Sequence, residues 1–91
     1  FGLYILQSLA NGRYYIGSTN DIDRRLREHN EGLVSATKFM RPFELRRFVE
    51  CKTLTEARIA EYRLKKYKSK KIIEKVIKSG ILPWYYRSSR P

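Results

Sequence analysis

The dipeptide Asn11-Gly12 constrains this chain more than any other feature. Asn-Gly between two runs rich in aromatic and branched residues is a strong hairpin signal, because both residues tolerate the positive φ of a tight two-residue turn. It predicts a first strand over residues 2–9 and a second over residues 13–17. A two-residue turn pairs Ser8 with Tyr15 and Gln7 with Ile16. Leu3, Ile5, Leu9, Tyr14 and Ile16 then share one face, and Tyr4, Leu6, Tyr15 and Gly17 share the other. In that register Tyr4 and Tyr15 stand about 13 Å apart along the strands, at about 3.4 Å per residue.

A helix follows almost at once. Thr19 or Asn20 is expected as its N-cap, and Asp21 and Asp23 favour the positive end of a helix starting near Asp21. Ile22 and Leu26 mark its buried stripe, and Arg25 and His29, also four apart, project together from the rim of that stripe. Gly32 is the expected C′ residue. Two tyrosines, a glycine suited to close approach, an arginine and a histidine thus converge within residues 13–29.

Residues 33–42 are expected to form a connecting loop with Thr37, Lys38 and Arg41 exposed, and residues 43–51 a third strand. Thr53-Leu54-Thr55-Glu56 has the form of a capping box and opens a second helix. Ala57, Ala60, Leu64 and Tyr67 recur on its buried face, and Glu61 falls on that same face. A carboxylate there needs a partner, since burying an isolated charge is very costly. That partner is either a basic side chain or a divalent cation. Ser69 caps a third helix with Ile72, Ile73, Val76 and Ile77 inward, stopped by Gly80 and Pro83. Residues 79–91, a tail with Trp84, Tyr85, Tyr86, Arg87 and Arg90, carry no regular signal and are expected to pack on the domain, with stacking on nucleic-acid bases as the alternative. The order is β-β-α-β-α-α, a single α+β domain over residues 1–91 with its core at about 2–78: a small, mostly antiparallel three-stranded sheet covered by helices.

Twenty Lys and Arg against nine Asp and Glu give a net charge of +11, a footprint for polyanions. Aromatic residues interleaved with the charge favour nucleic acid, whereas a membrane surface would call for a basic amphipathic helix with bulky apolar anchors. No run approaches transmembrane length, and no signal peptide or lipidation pattern is visible. A single cysteine, Cys51, excludes an intrachain disulfide, and with one histidine it provides no ligand set for structural zinc. A reducing interior compartment is compatible with this cysteine usage. Phe1 is not an initiator methionine, which is compatible with one domain of a longer protein.

Gly2-Leu3-Tyr4, then Tyr15-Ile16-Gly17, then Arg24-Arg25-Leu26 with His29 four past the second arginine, resembles the GIY-YIG nuclease family. The likeness runs from Gly2 to about Ser69 and is closest to the short stand-alone bacterial branch and to the nuclease domain of the excision-repair incision subunit. The resemblance implies a metal-dependent DNA endonuclease, acting as a monomer, that leaves 5′-phosphate and 3′-hydroxyl ends. An additional domain or protein partner for targeting is compatible with it. The family places its two tyrosines together, so a bulge or a longer loop would have to shift the hairpin register.

Carried over residue by residue, the resemblance makes Tyr4, Tyr15, Arg25, His29 and Glu61 the catalytic set. Glu61, in the E-A-x-x-x-E run from Glu56, matches the family's metal-binding glutamate and would hold one Mg²⁺ or Mn²⁺ ion. Arg25 would clamp the scissile phosphate, for which a planar fork of donors is suited. A tyrosine, with Tyr4 favoured over Tyr15, would activate the water, its phenolate favoured by Arg25 and the metal. His29 stands where the stand-alone branch has histidine and the repair branch tyrosine, and would be an auxiliary group. Gly17, Ser18, Lys38, Lys65 and Lys66 are the expected substrate contacts, with Lys68, Lys70 and Lys71 extending a basic surface for the DNA backbone. Two departures stand out: Ser18 replaces the repair subunit's lysine, and Ile73 its asparagine. The alternatives are a catalytically silent nucleic-acid-binding module with the same fold, or a basic RNA-associated structural protein.

Overall fold

The computed structural model describes the backbone over residues 1–88 and the side chains of residues 1–85. Strands β1 (Gly2–Ser8), β2 (Tyr14–Thr19) and β3 (Phe43–Glu50) form one antiparallel sheet in the order β2-β1-β3. Helix α1 (Ile22–Asn30) joins β2 to a loop with a 3-10 turn at Lys38–Met40, which leads into β3. Helices α2 (Leu54–Lys66), α3 (Lys70–Ser79) and α4 (Pro83–Ser88) follow. The α+β order expected from the sequence is present, with one further short helix at the end.

The hairpin differs from the two-residue turn in an instructive way. Ser8 N donates to Arg13 O, so four residues, 9–12, make the loop. The buried Ser8 hydroxyl accepts from Ala10 N and Asn11 N and donates to Met40 O, while Asn11 Oδ1 accepts from Arg13 N. These side-chain bonds offer the backbone a wider turn than the dipeptide alone prefers. Gly12 still supplies a positive φ, 78°. Gln7 now faces Tyr14, Leu6 faces Tyr15, and Tyr4 faces Gly17. The register has slipped by two residues, which leaves every side chain on its expected face. Leu9 alone leaves the core, exposed in the loop.

The two faces bury two clusters. Leu3, Ile5 and Ile16 pack with Ala60, Leu64, Val76 and Leu82 under α2, α3 and the final turn. Tyr4, Leu6 and Phe43 pack with Ile22 and Leu26 of α1. Asp21, not Thr19 or Asn20, is the N-cap of α1, its side chain accepting from Arg24 N. Thr19 instead ties the link by bonding Asp21 N and O through its hydroxyl. Gly32 takes the positive φ expected past the helix end. Thr53 caps α2, and Ala57, Ala60 and Leu64 are buried, but Tyr67 lies past the end of α2 and is 42% exposed. Ser69 caps α3 and Gly80 ends it in the left-handed region.

The chain after Gly80 has more order than its sequence signals. Leu82 is buried in the first cluster, Trp84 packs against it, and Arg63 lies over the Trp84 ring at 4.3 Å. Pro83 opens α4, the helix position at which a missing N–H costs nothing. The side chains of Tyr86 and Arg87, and Arg90 altogether, lie outside the described residues. Among the described residues no helix is long and apolar enough to cross a membrane.

Candidate active site

The site begins with the pairing of Tyr4 and Gly17. A side chain on Gly17 would place its Cβ 2.3 Å from the Tyr4 ring and hydroxyl, so the glycine exists to let that ring cross strand β2. Its role is thus internal: the atom that comes close to the backbone is the Tyr4 hydroxyl. The same register carries the Tyr15 ring to 6.4 Å from the Tyr4 ring, centroid to centroid, in place of the longer separation of the tight hairpin.

Helix α1 brings the next two groups. Arg25 Nε donates to the Tyr4 hydroxyl at 3.4 Å, and its Nη1 bonds Glu28 at 3.2 Å. His29, one turn on, is not on the rim as the spacing suggested but fully buried, 0% exposed. Its ring meets Tyr4, Tyr15 and Phe43 edge to face, at 5.7, 5.1 and 5.7 Å. Nε2 lies 2.9 Å from the Tyr4 hydroxyl and Nδ1 lies 2.7 Å from Thr37 Oγ1. Thr37, expected on an exposed loop, is fully buried.

These contacts have one consistent direction. The Thr37 hydroxyl donates to Val34 O, so its oxygen is free to accept from His29 Nδ1–H. Nε2 is then the bare nitrogen and accepts the Tyr4 proton, while Tyr4 oxygen accepts from Arg25. Second partners of this kind select the imidazole tautomer. Burial, aided by the Arg25 charge and opposed by Glu28, pushes the His29 imidazole from 6.5 down to about 4. It is a neutral acceptor at neutral pH. Burial also raises Tyr4 above the ordinary phenol value; Arg25 pulls the other way but does not prevail, and Tyr15 and Glu61 add to the rise. The expectation that Arg25 would favour a Tyr4 phenolate therefore meets a desolvation cost it does not offset. Arg25 itself is held still more firmly charged, chiefly by its bond to Tyr4.

Across the β2 edge stands Glu61. It is partly buried at the margin of the α2 core face, with Oε1 accepting from Ser18 Oγ at 2.7 Å and Oε2 from Lys65 Nζ at 2.6 Å. Ser18, a departure from the repair branch, thus fixes the carboxylate. Ile73, the other departure, packs among the apolar side chains of the first cluster. Lys65 also lies 5.8 Å from the centre of the Tyr15 ring, linking Glu61 to the tyrosines. Lys66 instead lies over Tyr62 and Lys38 over Phe39, so neither ammonium is held on this cluster. Tyr4, Tyr15, Arg25, His29 and Glu61 are brought to one place, with Gly17, Ser18 and Lys65. Thr37 and Glu28 escaped the sequence reading. A lone threonine in a loop has no periodicity to betray its burial, whereas Glu28, three past Arg25, was readable as a helix-face pair.

A buried aromatic and imidazole cluster and an arginine thus stand beside a partly buried carboxylate at the β2 edge of this sheet. The description "GIY-YIG catalytic domain" matches residues 1–75, and the chain belongs to the GIY-YIG family. It is similar to a UPF0213 protein of Bacillus pumilus, 43% identical over 70 residues that cover 75% of this chain and 69% of that protein. The UPF0213 protein YazA of Bacillus subtilis is 39% identical over 69 residues, covering 75% of this chain and 69% of the relative. A UPF0213 protein of Halobacterium salinarum is 36% identical over 66 residues, covering 69% and 82%. No solved structure matches.

Proposed function

We propose that this chain is a DNA endonuclease that hydrolyses phosphodiesters with an activated water and depends on one divalent metal ion. The observation that carries the reading is the directed chain Arg25, Tyr4, His29, Thr37, with a carboxylate oriented by Ser18 across the strand from it. The +11 charge makes DNA the substrate the surface favours.

Glu61 suits a hydrated Mg²⁺ or Mn²⁺. It already accepts one cation, the Lys65 ammonium, and its other oxygen is held in place by Ser18. Among the described residues no three His, Cys, Asp or Glu side chains cluster, and Glu61 is the side chain that would hold the ion. A single carboxylate is enough for an ion that keeps several waters and borrows phosphate oxygens. When bound, such an ion supplies positive charge to the five-coordinate phosphate and the leaving 3′ oxygen.

The chain's own residues do the rest. Arg25 orients the scissile phosphate with the guanidinium edge that Tyr4 and Glu28 leave available. Tyr15, half-buried and with no hydrogen bond to Tyr4, holds the water from the outer side. The proton leaving that water goes to Tyr4 oxygen as the Tyr4 proton moves to His29 Nε2. His29 becomes an imidazolium with its Nδ1–H still on Thr37, and Tyr4 never has to persist as a phenolate. The water activator is therefore a tyrosine–histidine pair.

Incubation with supercoiled plasmid and with branched DNA, in Mg²⁺, Mn²⁺ or EDTA, tests the reading. Cleavage to 5′-phosphate and 3′-hydroxyl ends that stops in EDTA and in Glu61→Gln is the expected result. One observation favours the rival, a silent binding module: the Lys65 ammonium already satisfies Glu61. Absence of cleavage by both wild type and Lys65→Ala, with DNA binding kept, would decide for that rival.

A further inference from the structure

Beside Glu61 lies a cleft of about 250 Å³ that meets the catalytic set only at Arg25 and is otherwise built from residues outside it. Ser18, Thr19 and Asn20 form one wall, Arg24 and Arg25 of α1 another, and Leu54 and Arg58 of α2 the third. No acidic side chain lines it, and Leu54 is its only apolar one. Arg24 and Arg25 share one counter-charge, Glu28, at 3.8 and 3.2 Å. Arg58 makes no ion pair with any described residue. Three guanidinium groups against one carboxylate leave the cleft with a net positive charge.

The walls are held in place. The Thr19 hydroxyl is bonded to Asp21 at both N and O, and Arg24 Nη2 donates to Asn20 Oδ1 at 3.1 Å. Helix α2 cannot shift against this link without breaking the Ser18–Glu61 bond. Arginine is the side chain suited to such a place, since its fork meets phosphate oxygens two at a time.

The geometry points to a second phosphate subsite, for the backbone group that neighbours the scissile phosphate on the same DNA strand, with Arg58 as its principal anchor and Arg24 beside it. The inference rests on the nuclease reading for its ligand. The cleft shares Ser18 and Arg25 with the active site. Arg58 precedes Glu61 by three residues, so it stands about one turn of the same helix before the carboxylate. No aromatic side chain lines the cleft, so it would hold the strand in register without reading its sequence.

The test is binding of the intact chain to a 20-base-pair duplex in EDTA as KCl is varied, so that no cleavage is involved. Losing one phosphate contact should flatten the slope of log affinity against log salt by about 0.9. Arg58→Ala is expected to show that change and Arg58→Lys to keep the parent slope. Arg13→Ala, in the residue before β2 and at the strand end away from Ser18, should leave the slope unchanged. A parent slope in Arg58→Ala, or an equal flattening in Arg13→Ala, overturns the subsite while the nuclease reading stands. A parent that binds no DNA overturns both.

Discussion

Acidification should destabilise this protein through one residue, because His29 is the only histidine and is buried in its neutral form. In the unfolded chain the imidazole titrates near its ordinary 6.5, whereas in the fold it titrates at about 4. Between those values the unfolded chain binds the extra proton. Stability is therefore complete above about pH 6.5, falls as the pH drops, and levels off below the folded value. The gap corresponds to about 3 kcal/mol in full, at about 1.4 kcal/mol per pH unit, of which about 2 kcal/mol is lost between roughly pH 7.5 and 5. With no exposed surface on His29, solvent screening removes little of it.

The window is chosen because carboxylates still hold their charge there. Urea unfolding at 25 °C should show the midpoint falling by about 2 M, at an m-value near 1 kcal/mol/M for a chain of this size. His29→Gln, which cannot titrate, should show a flat profile whatever its absolute stability. The single His29 ring also gives a direct NMR titration, with a midpoint near 4 expected. A midpoint above about 6, or a wild-type midpoint that does not move with pH, would refute the buried neutral imidazole and with it the proton route through Tyr4.

Other outcomes follow from the same contacts. Above about pH 6 single-turnover cleavage should be insensitive to pH, since the acceptor is already bare; a rate-limiting ionisation near 6.5 would contradict this. Tyr4→Phe and His29→Ala should both lose orders of magnitude in that rate while duplex binding in EDTA holds, and binding loss in either would shift the role to structure. Thr37→Val should cost about 1–3 kcal/mol by leaving Nδ1–H unpaired and should change the His29 ring nitrogen shifts, with Thr37→Ser restoring both. Gly17→Ala should destabilise by about 1–3 kcal/mol, read by thermal melting, because the Tyr4 ring has nowhere to move; an unchanged melting temperature would show that ring to be mobile.

The sequence carried the element order and both sheet faces, because hydrophobic periodicity and capping chemistry are local. It singled out Arg25, His29 and Glu61 by helix spacing, but it joined them to Tyr4 and Tyr15 as one set only through the order of their motifs. What it hid lies in long-range partners. Thr37 looks like any polar loop residue until the chain folds it under His29, eight positions away. Glu61 falls at the margin of its helix face, and its partner Ser18 sits on a strand forty-three residues earlier, a pairing no spacing rule contains. Leu82 and Trp84 follow a glycine and flank a proline, so their docking leaves no periodic trace.

The hairpin shows how a small local choice decides whether there is a site at all. A shift of one residue would have turned Tyr4 to the opposite face from Arg25, whereas the observed shift of two keeps the faces and changes only which residues meet. In the two-residue register Tyr4 lies beyond the end of the second strand. In the four-residue loop it lies opposite Gly17, the one neighbour without a side chain to obstruct it. The energetic preference for Asn-Gly as a tight turn is modest, and four hydrogen bonds formed by Ser8 and Asn11 side chains suffice to displace it. Replacing Ser8 with alanine removes three of them and leaves Met40 O and two loop N–H groups to find other partners. Tyr4 would then lose its fixed place over Gly17 without any residue of the site having been touched, a coupling that links a loop at one end of the sheet to the Tyr4–His29 hydrogen bond at its centre.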